Sequence, residues 1–356
     1  MEPEREIILS LLRQNGQILA DDADFSFARI GEGKGFVSSL FRVRVDGHSY
    51  AVKITNAKGD GSNNLSVYEN MHNREVEFYR WASKLPQTAQ NQFKLPKHFG
   101  GRRCNGDEAG IVILDDFSDR MIGEIDYIRA GLSVDLVKEI LQSVASYQSG
   151  FLHADKEFPD TDKKTFYQIV APLSRACIDE LPLKPWITEA AKRNMHLFID
   201  QSETLTEEYP DFAKFAPRTL VHCDLWPENM LYTRRGADVG LLAVIDWQQV
   251  TVGNGLIDVA AVLSICLTAD GRRASEKELV EFYWREMQKQ CAQLGNSFDV
   301  DLETTHKLYR HCLKRYTREL AMMIKYLKRD DFPEVGNVDG PLSQRLKALL
   351  EDLEAC

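Results

Sequence analysis

The stretch from Leu220 to Leu231 reads Leu-Val-His-Cys-Asp-Leu-Trp-Pro-Glu-Asn-Met-Leu. It sets an aspartate and an asparagine behind a histidine in the form H-x-D-x-x-x-x-N, after a short apolar run. In phosphoryl transfer an aspartate so placed accepts or orients the proton of an attacking hydroxyl, and the asparagine binds a metal ion on the nucleotide phosphates. Asp224 is therefore the candidate catalytic residue and Asn229 a candidate metal ligand, with His222 holding the loop. Further on, Leu242-Ala243-Val244-Ile245-Asp246-Trp247-Gln248 is an apolar strand ending in an acid. Asp246 is the second candidate ligand, because Mg²⁺ favours hard oxygen donors shared with phosphate. An aspartate at a strand end is common in isolation, but one that follows such a loop at short range is a poor fit to chance.

A nucleotide needs a cradle, and the N-terminal third supplies the parts. Gly31-Glu32-Gly33-Lys34-Gly35-Phe36-Val37-Ser38 lies between two strand-like segments. Glycines let the backbone approach phosphate oxygens with its N–H groups, so Gly31, Gly33, Gly35 and Ser38 are candidate phosphate contacts. Such strings also occur in ordinary hairpins. In Ala51-Val52-Lys53-Ile54 the side chains alternate faces. If Val52 and Ile54 face the core, Lys53 faces a cleft and can meet phosphate. Glu75 shares a helix face with Met71, Phe78 and Ala82, where a carboxylate is costly unless paired. Lys53 is its expected partner.

The elements that must hold these residues follow from periodicity. A helix is expected over Pro3 to Asn15, and strands over Phe25 to Gly31, Ser38 to Val45 and His48 to Ile54. Asp46-Gly47 is a hairpin signal between the last two. A helix over about Tyr68 to Lys84 and a buried strand over Gly110 to Leu114 follow. Beyond Asp116 long amphipathic helices dominate: Val134 to Leu152, Phe166 to Leu181, Trp186 to Glu208, Ser275 to Leu294, Leu302 to Lys328 and Leu342 to Leu353. Short strands near Leu220 and over Leu241 to Ile245 interrupt them. The fold class is α+β: a small sheet-rich nucleotide-binding lobe, residues 1–116, and a larger helical lobe for catalysis and substrate, residues 117–356.

The chain has 356 residues and a formal net charge of −10, which argues against nucleic acid as the main partner. Its seven cysteines are scattered without a C-x-x-C pair, the pattern of a reduced interior. The start shows no apolar leader and no segment is long and apolar enough to span a bilayer, so a cytoplasmic location is expected. His306 and His311 fall on one helix but splay by roughly 140°, which disfavours zinc. Tyr309, Tyr316 and Tyr326 read as a packed helix face rather than an aromatic cage.

His222 to Asn229 and Ile245-Asp246-Trp247-Gln248 resemble the catalytic and metal-binding motifs of aminoglycoside phosphotransferases and choline kinases. The Leu-Trp after Asp224, the Asp-Trp-Gln, and Glu75-Val76-Glu77-Phe78-Tyr79 are most similar to the ecdysteroid-kinase-like (CHK kinase-like) group. Gly253 to Ala260 resembles that group too, where an aspartate like Asp258 buttresses the catalytic loop. The resemblance spans about Phe25 to the helices near Lys328. It implies a two-lobed protein-kinase-like fold, ATP and Mg²⁺ as cofactors, and a small-molecule hydroxyl as acceptor. It also implies a hinge at Asp115-Asp116, where relatives often have Glu-Asp, with adenine read by backbone groups near Leu114 to Phe117. Relatives usually carry Gly where this chain has Cys223. Two other classes stand beside a small-molecule kinase. A catalytically inactive binding protein need not keep Lys53, Glu75, Asp224, Asn229 and Asp246 together. A protein kinase would need an A-P-E motif and a peptide platform after Asp246, and this chain runs directly into an apolar helix there.

Overall fold

The computed structural model describes residues 2–20, 22–30, 38–55, 65–85, 87–105, 108–123, 125–152, 163–203, 218–327 and 340–354. The chain divides into two compact units. The first comprises Met1–Ile122, Leu231–Ala237 and Leu242–Val250; the second comprises Gly123–Met230, Asp238–Leu241 and Thr251–Cys356. The sequence places the division after residue 116. The first segment runs to Ile122, and the later segments are bonded into the same unit through their main chain. Val244 N donates to Lys94 O at 2.8 Å, and Ile122 N donates to Tyr232 O at 2.9 Å.

In the first unit, helix α1 (Glu2–Gln14) precedes strands β1 (Phe25–Ile30), β2 (Ser39–Val45) and β3 (His48–Thr55). Helix α2 (Leu65–Ala82) and a short helix α3 (Gln87–Gln92) lead to β4 (His98–Arg102) and β5 (Gly110–Asp115). The five strands form one sheet in the order β1-β2-β3-β5-β4, with every neighbouring pair antiparallel. Asp46 and Gly47 both take positive φ, 49° and 80°, as a two-residue hairpin turn demands. Ile8, Leu9 and Leu12 of α1 share a core with Val43, Val45, Tyr50, Val52, Ile54, Ile111 and Ile113. Val52 and Ile54 therefore point to the α1 face, and alternation sends Lys53 to the other, where α2 packs against β3, β4 and β5. Strand β4 escapes sequence reading because His-Phe-Gly-Gly-Arg has no β-branched residue and its ladder is broken between His98 and Gly100. Gly100 has φ of 143°, and a Cβ there would come within 2.9 Å of the Asn15 side chain.

The second unit is helical: α4 (Val134–Gly150), α5 (Lys163–Glu180), α6 (Glu189–Glu203), α7 (Leu256–Ala261) running on as a π-helical turn, α8 (Ala269–Gln293), α9 (Leu302–Tyr326) and α10 (Pro341–Glu354). Strands β6 (Arg218–Val221) and β9 (Thr251–Asn254) pair antiparallel, and the hairpin of β7 (Met230–Arg235) and β8 (Asp238–Val244) contributes segments to both units. Side-chain caps start the long helices: Ser133 for α4, Thr268 for α8 and Asp301 for α9. Helix α8 begins a turn and a half before the expected Ser275. Its first turns turn a buried arginine inward, Arg272, which is bonded to Glu276 and Asp352, so apolar periodicity does not register them. Tyr309 and Tyr316 are core residues, their hydroxyls donating to Glu276 Oε2 and to the carbonyl of Ile257. Tyr326 is exposed.

Burial pushes the imidazoles of His72, His98 and His311 down to about 4. The native state thus resists protons that the unfolded chain, with histidines near 6.5, accepts. The stabilisation from these neutral rings is complete above pH about 6.5 and is lost as pH falls towards 4, by about 1.4 kcal/mol per unit for each ring. Chemical-denaturation midpoints should therefore fall steadily from pH 6.5 to 5, before most carboxylates titrate. A flat profile over that range would contradict the burial of these rings.

Candidate active site

In the first unit, the Lys53 ammonium sits between two carboxylates. Nζ lies 2.8 Å from Glu75 Oε2 and 2.6 Å from Asp246 Oδ1. The Glu75 side chain is almost wholly buried, at 1% exposure, whereas that of Asp246 is 27% exposed. Burial opposes the charge on Lys53, but Asp246 and Glu75 outweigh it and raise the pKa of the amine. Burial raises the pKa of Glu75, against the pull of Lys53 and the main-chain N–H of Trp247. Asp246 holds its place at a cost: its backbone is left-handed, φ 63° and ψ 58°, a conformation worth roughly 1–2 kcal/mol of strain for an L-residue. The next residue offsets this. Trp247 is completely buried and stacks on Phe78, ring centroids 4.1 Å and planes 13° apart, while Nε1 donates to Val244 O at 3.2 Å. Phe78 lies one turn beyond Glu75 on α2, so the stack pins Asp246 to the helix that presents Glu75.

Ser38 is half-buried and shares a hydrogen bond with Thr55, Oγ to Oγ1, at 2.5 Å. Gly31, Gly33 and Gly35 lie outside the described residues. The side chains of the expected hinge are engaged within their own unit. Asp116 accepts from Arg42 Nε, Ser49 Oγ and Ser118 N, contacts that hold its pKa down against burial. Asp115 accepts from Arg120. A base docking here would be read by main-chain groups.

In the second unit, the loop after β6 hangs on one acid. Asp258 of α7 is fully buried and accepts from the main-chain N–H groups of His222, at 2.9 Å, and Cys223, at 3.0 Å. Tyr147 donates its hydroxyl to Asp258 Oδ2 at 2.6 Å. Burial raises the pKa of Asp258, while His222, Tyr147 and the two backbone donors counter it. Asp224 N donates to His222 Nδ1 at 3.2 Å, and the Asn229 side-chain nitrogen donates to the carbonyl and to Oδ2 of Asp224, at 2.8 and 3.0 Å. That leaves the Asn229 amide oxygen as the atom able to hold a cation. Asp224 and Asn229 are thus joined in one loop, as their spacing implies, and the His222 ring braces it from within.

A family profile described as "DUF1679: Uncharacterized oxidoreductase dhs-27" matches residues 49–356. The chain belongs to the DUF1679 family. Among curated proteins it is 23% identical to the "Uncharacterized oxidoreductase dhs-27" of Caenorhabditis elegans, over 89% of this chain and 42% of that protein. It is 20% identical to the "Uncharacterized kinase-like protein D1044.1" of the same organism, over 65% of this chain and 62% of that protein. The chain thus spans less than two thirds of the length of either. Among solved structures, a provisionally assigned aminoglycoside phosphotransferase of Ralstonia eutropha superposes with a TM-score of 0.56, 14% identity and 98% coverage of both chains. Choline kinase of Cryptosporidium parvum gives 0.54 at 14% identity, covering 99% of this chain and 97% of that one. The GDP complex of an aminoglycoside 2'-phosphotransferase gives 0.50 at 14%, covering 98% of each. These neighbours are members of the aminoglycoside phosphotransferase–choline kinase superfamily, and the DUF1679 chain has their kinase-like α+β fold.

Sequence reading missed the supports behind this DUF1679 loop. Gln148, beside Tyr147 at the end of α4, donates to Gly255 O at 2.9 Å and accepts from the Tyr283 hydroxyl at 2.5 Å. Thr219 donates to the Gln148 carbonyl, and Arg315 of α9 donates to Cys223 O at 3.3 Å. A Tyr-Gln pair at the inward end of an apolar helix was the available signal. Cys223 itself has φ of 66°, a left-handed conformation that glycine adopts most readily. Cys223→Gly should keep stability within about 1 kcal/mol, since relief of left-handed strain offsets the added freedom of the unfolded chain. Cys223→Val should cost at least about 1–3 kcal/mol, because a β-branched residue tolerates positive φ worst. Paired urea denaturation curves check both.

Proposed function

We propose that this chain is an ATP-dependent phosphotransferase that moves the γ-phosphoryl group to a hydroxyl of a small molecule. The observation that carries the reading is Lys53 held between Glu75 and Asp246. An amine so fixed is oriented for phosphate oxygens, and in kinases this ion pair must be in place for transfer. Asp224 is proposed to accept or orient the proton of the acceptor hydroxyl. The polar loop around it is held by buried Asp258, so its position does not depend on the acceptor.

The donor set suits magnesium. Two carboxylates flank the one ammonium, and Asp246 is the more exposed of the two. Asn229 offers an amide oxygen. Few hard oxygen donors, with the rest left to phosphate and water, is the habit of Mg²⁺. When bound it would neutralise charge developing on the phosphates. Asn229 and Asp246 are the residues proposed to hold it, and Gly31, Gly33, Gly35, Ser38 and Lys53 those proposed to meet the phosphates.

The finer family likeness, to ecdysteroid-kinase-like (CHK kinase-like) proteins, favours a partly apolar alcohol over a choline- or aminoglycoside-like acceptor. A protein substrate is disfavoured by the segment after Asp246. It enters β9, pairs with β6 and passes directly into α7, with no room for a peptide-docking loop. The oxidoreductase name belongs to a protein of which this chain spans 42%. A dinucleotide-binding domain is built on parallel strands, and the five-stranded sheet here is antiparallel throughout. Among the described residues no helix is long and apolar enough to cross a membrane, and six cysteines are free thiols, which supports a reducing compartment such as the cytoplasm.

Basal ATP hydrolysis, with water as acceptor, gives an assay before the acceptor is known. Asp224→Asn is expected to reduce turnover by about 10²- to 10⁴-fold while nucleotide still binds. Full turnover in Asp224→Asn would remove the assignment. Calorimetry should show nucleotide binding that requires Mg²⁺ or Mn²⁺ and is lost in Asp246→Ala. Equal affinity with and without the metal, in both proteins, would count against the site. One neighbour was solved with GDP, so GTP belongs in the same titrations.

A further inference from the structure

A second polar chain runs through the first unit beside the Lys53 trio. Ser38 Oγ lies 2.5 Å from Thr55 Oγ1, Thr55 Oγ1 lies 3.0 Å from His72 Nδ1, and His72 Nε2 lies 3.0 Å from the carbonyl oxygen of Arg102. Thr55 and His72 are buried, at 1% and 2% exposure. The chain has a direction. A carbonyl oxygen only accepts, so Nε2 carries the hydrogen. In a neutral imidazole Nδ1 then accepts, so the Thr55 hydroxyl donates to His72. With that proton committed, the Ser38 hydroxyl is the donor to Thr55. Burial keeps the ring neutral by pushing its pKa down to about 4, with the Lys53 ammonium adding to the effect.

The ring has a built space. Gly110 of β5 passes directly against it, and a Cβ at that position would stand 2.2 Å from the imidazole. The three residues come from the three places that matter. Ser38 directly follows the glycine-rich string, Thr55 is two residues beyond Lys53 on the same face of β3, and His72 is one turn before Glu75 on α2. We propose that His72 is a positioning residue of the nucleotide site: through Thr55 it fixes the Ser38 hydroxyl and ties it to the helix that carries Glu75. This rests on the nucleotide-binding reading above and adds to it a coupling between the phosphate contacts and the ion pair. The coupling passes through a side-chain chain separate from Lys53.

Thr55→Val keeps the shape of the residue and deletes the shared hydroxyl. Affinity for Mg·ADP, measured by calorimetry, should fall about three- to tenfold, the effect of one or two hydrogen bonds. In a Ser38→Ala background Thr55→Val should add little, because both changes cut the same chain. His72→Leu should match Thr55→Val, whereas His72→Asn, whose amide oxygen can stand in for Nδ1, should recover most of the affinity. Thermal midpoints measured alongside separate this from a packing role, which would lower stability and leave affinity alone. If Thr55→Val does not fold, the contrast between His72→Leu and His72→Asn carries the same decision. Wild type that binds Mg·ADP, with the Thr55 and His72 variants binding as tightly or losing affinity equally with and without Ser38, overturns the proposal alone. Wild type that binds no nucleotide overturns the phosphotransfer reading and this proposal together.

Discussion

An amine largely withdrawn from water keeps its charge best with anions beside it. Lys53 is such an amine, and the first unit is organised around meeting that condition. One carboxylate comes from a helix 22 residues away and the other from a strand end 193 residues away. Neither is local, so the backbone must deliver both. Alternation along β3 aims Lys53 away from the α1 core, the apolar stripe of α2 sinks Glu75 into the interior, and a stacked Trp247 on Phe78 carries Asp246 inward. The left-handed turn at Asp246 is tolerated because the stack and the ion pair together exceed its strain. The arrangement is strong where it must be rigid, at Glu75, and more exposed at Asp246.

The second unit solves the mirror problem, a buried anion. Among the described residues, Asp258 is met by two main-chain donors, the Tyr147 hydroxyl and, at longer range, the Gln148 amide. Those main-chain donors are the loop itself, so satisfying the acid and shaping the loop are one event. Gln148 and Tyr283 extend the polar interior behind it. Because every partner is matched, the network can be both buried and stable. The loop that bears Asp224 and Asn229 gets its geometry from underneath rather than from whatever arrives above it.

Much of this was legible in the sequence, for reasons that differ by residue. Lys53 and Glu75 could be paired because period-two and period-3.6 patterns each put a charge on a definite face. Asp224 and Asn229 could be joined because their spacing is local. The helices were visible wherever an apolar stripe faced the core and invisible where a buried arginine replaced it, as at Arg272. Strand β4 was hidden by its glycines. The polar partners of the interior, His72 with Thr55 and Tyr147 with Gln148, were hidden for another reason. Their meaning comes from tertiary neighbours, and a histidine or glutamine on an apolar face carries no sign of which backbone it will meet. At Asp115 and Asp116 the resemblance implied a hinge read through backbone groups; the side-chain partners Arg42 and Ser49 of Asp116 lie 74 and 67 residues away and carried no signal, whereas Arg120 lies only five residues from Asp115.

The order in which the chain enters its two units bears on how it is made. The first unit has its sheet and both main helices by residue 122, yet Asp246, Trp247 and the strand segments that bond Lys94 and Ile122 come more than a hundred residues later. A ribosome extends at about 5–20 residues per second, so the emerging sheet spends several seconds or more with Lys53 lacking one of its carboxylates and Phe78 lacking its stacking partner. A fragment cut near residue 122 would lack Asp246 and Trp247, and with them the second carboxylate on Lys53 and the stack on Phe78. In this chain the last strand end to be synthesised for the first unit is also the one that brings the second carboxylate to Lys53, so the ion-pair cluster and the unit that holds it are completed together.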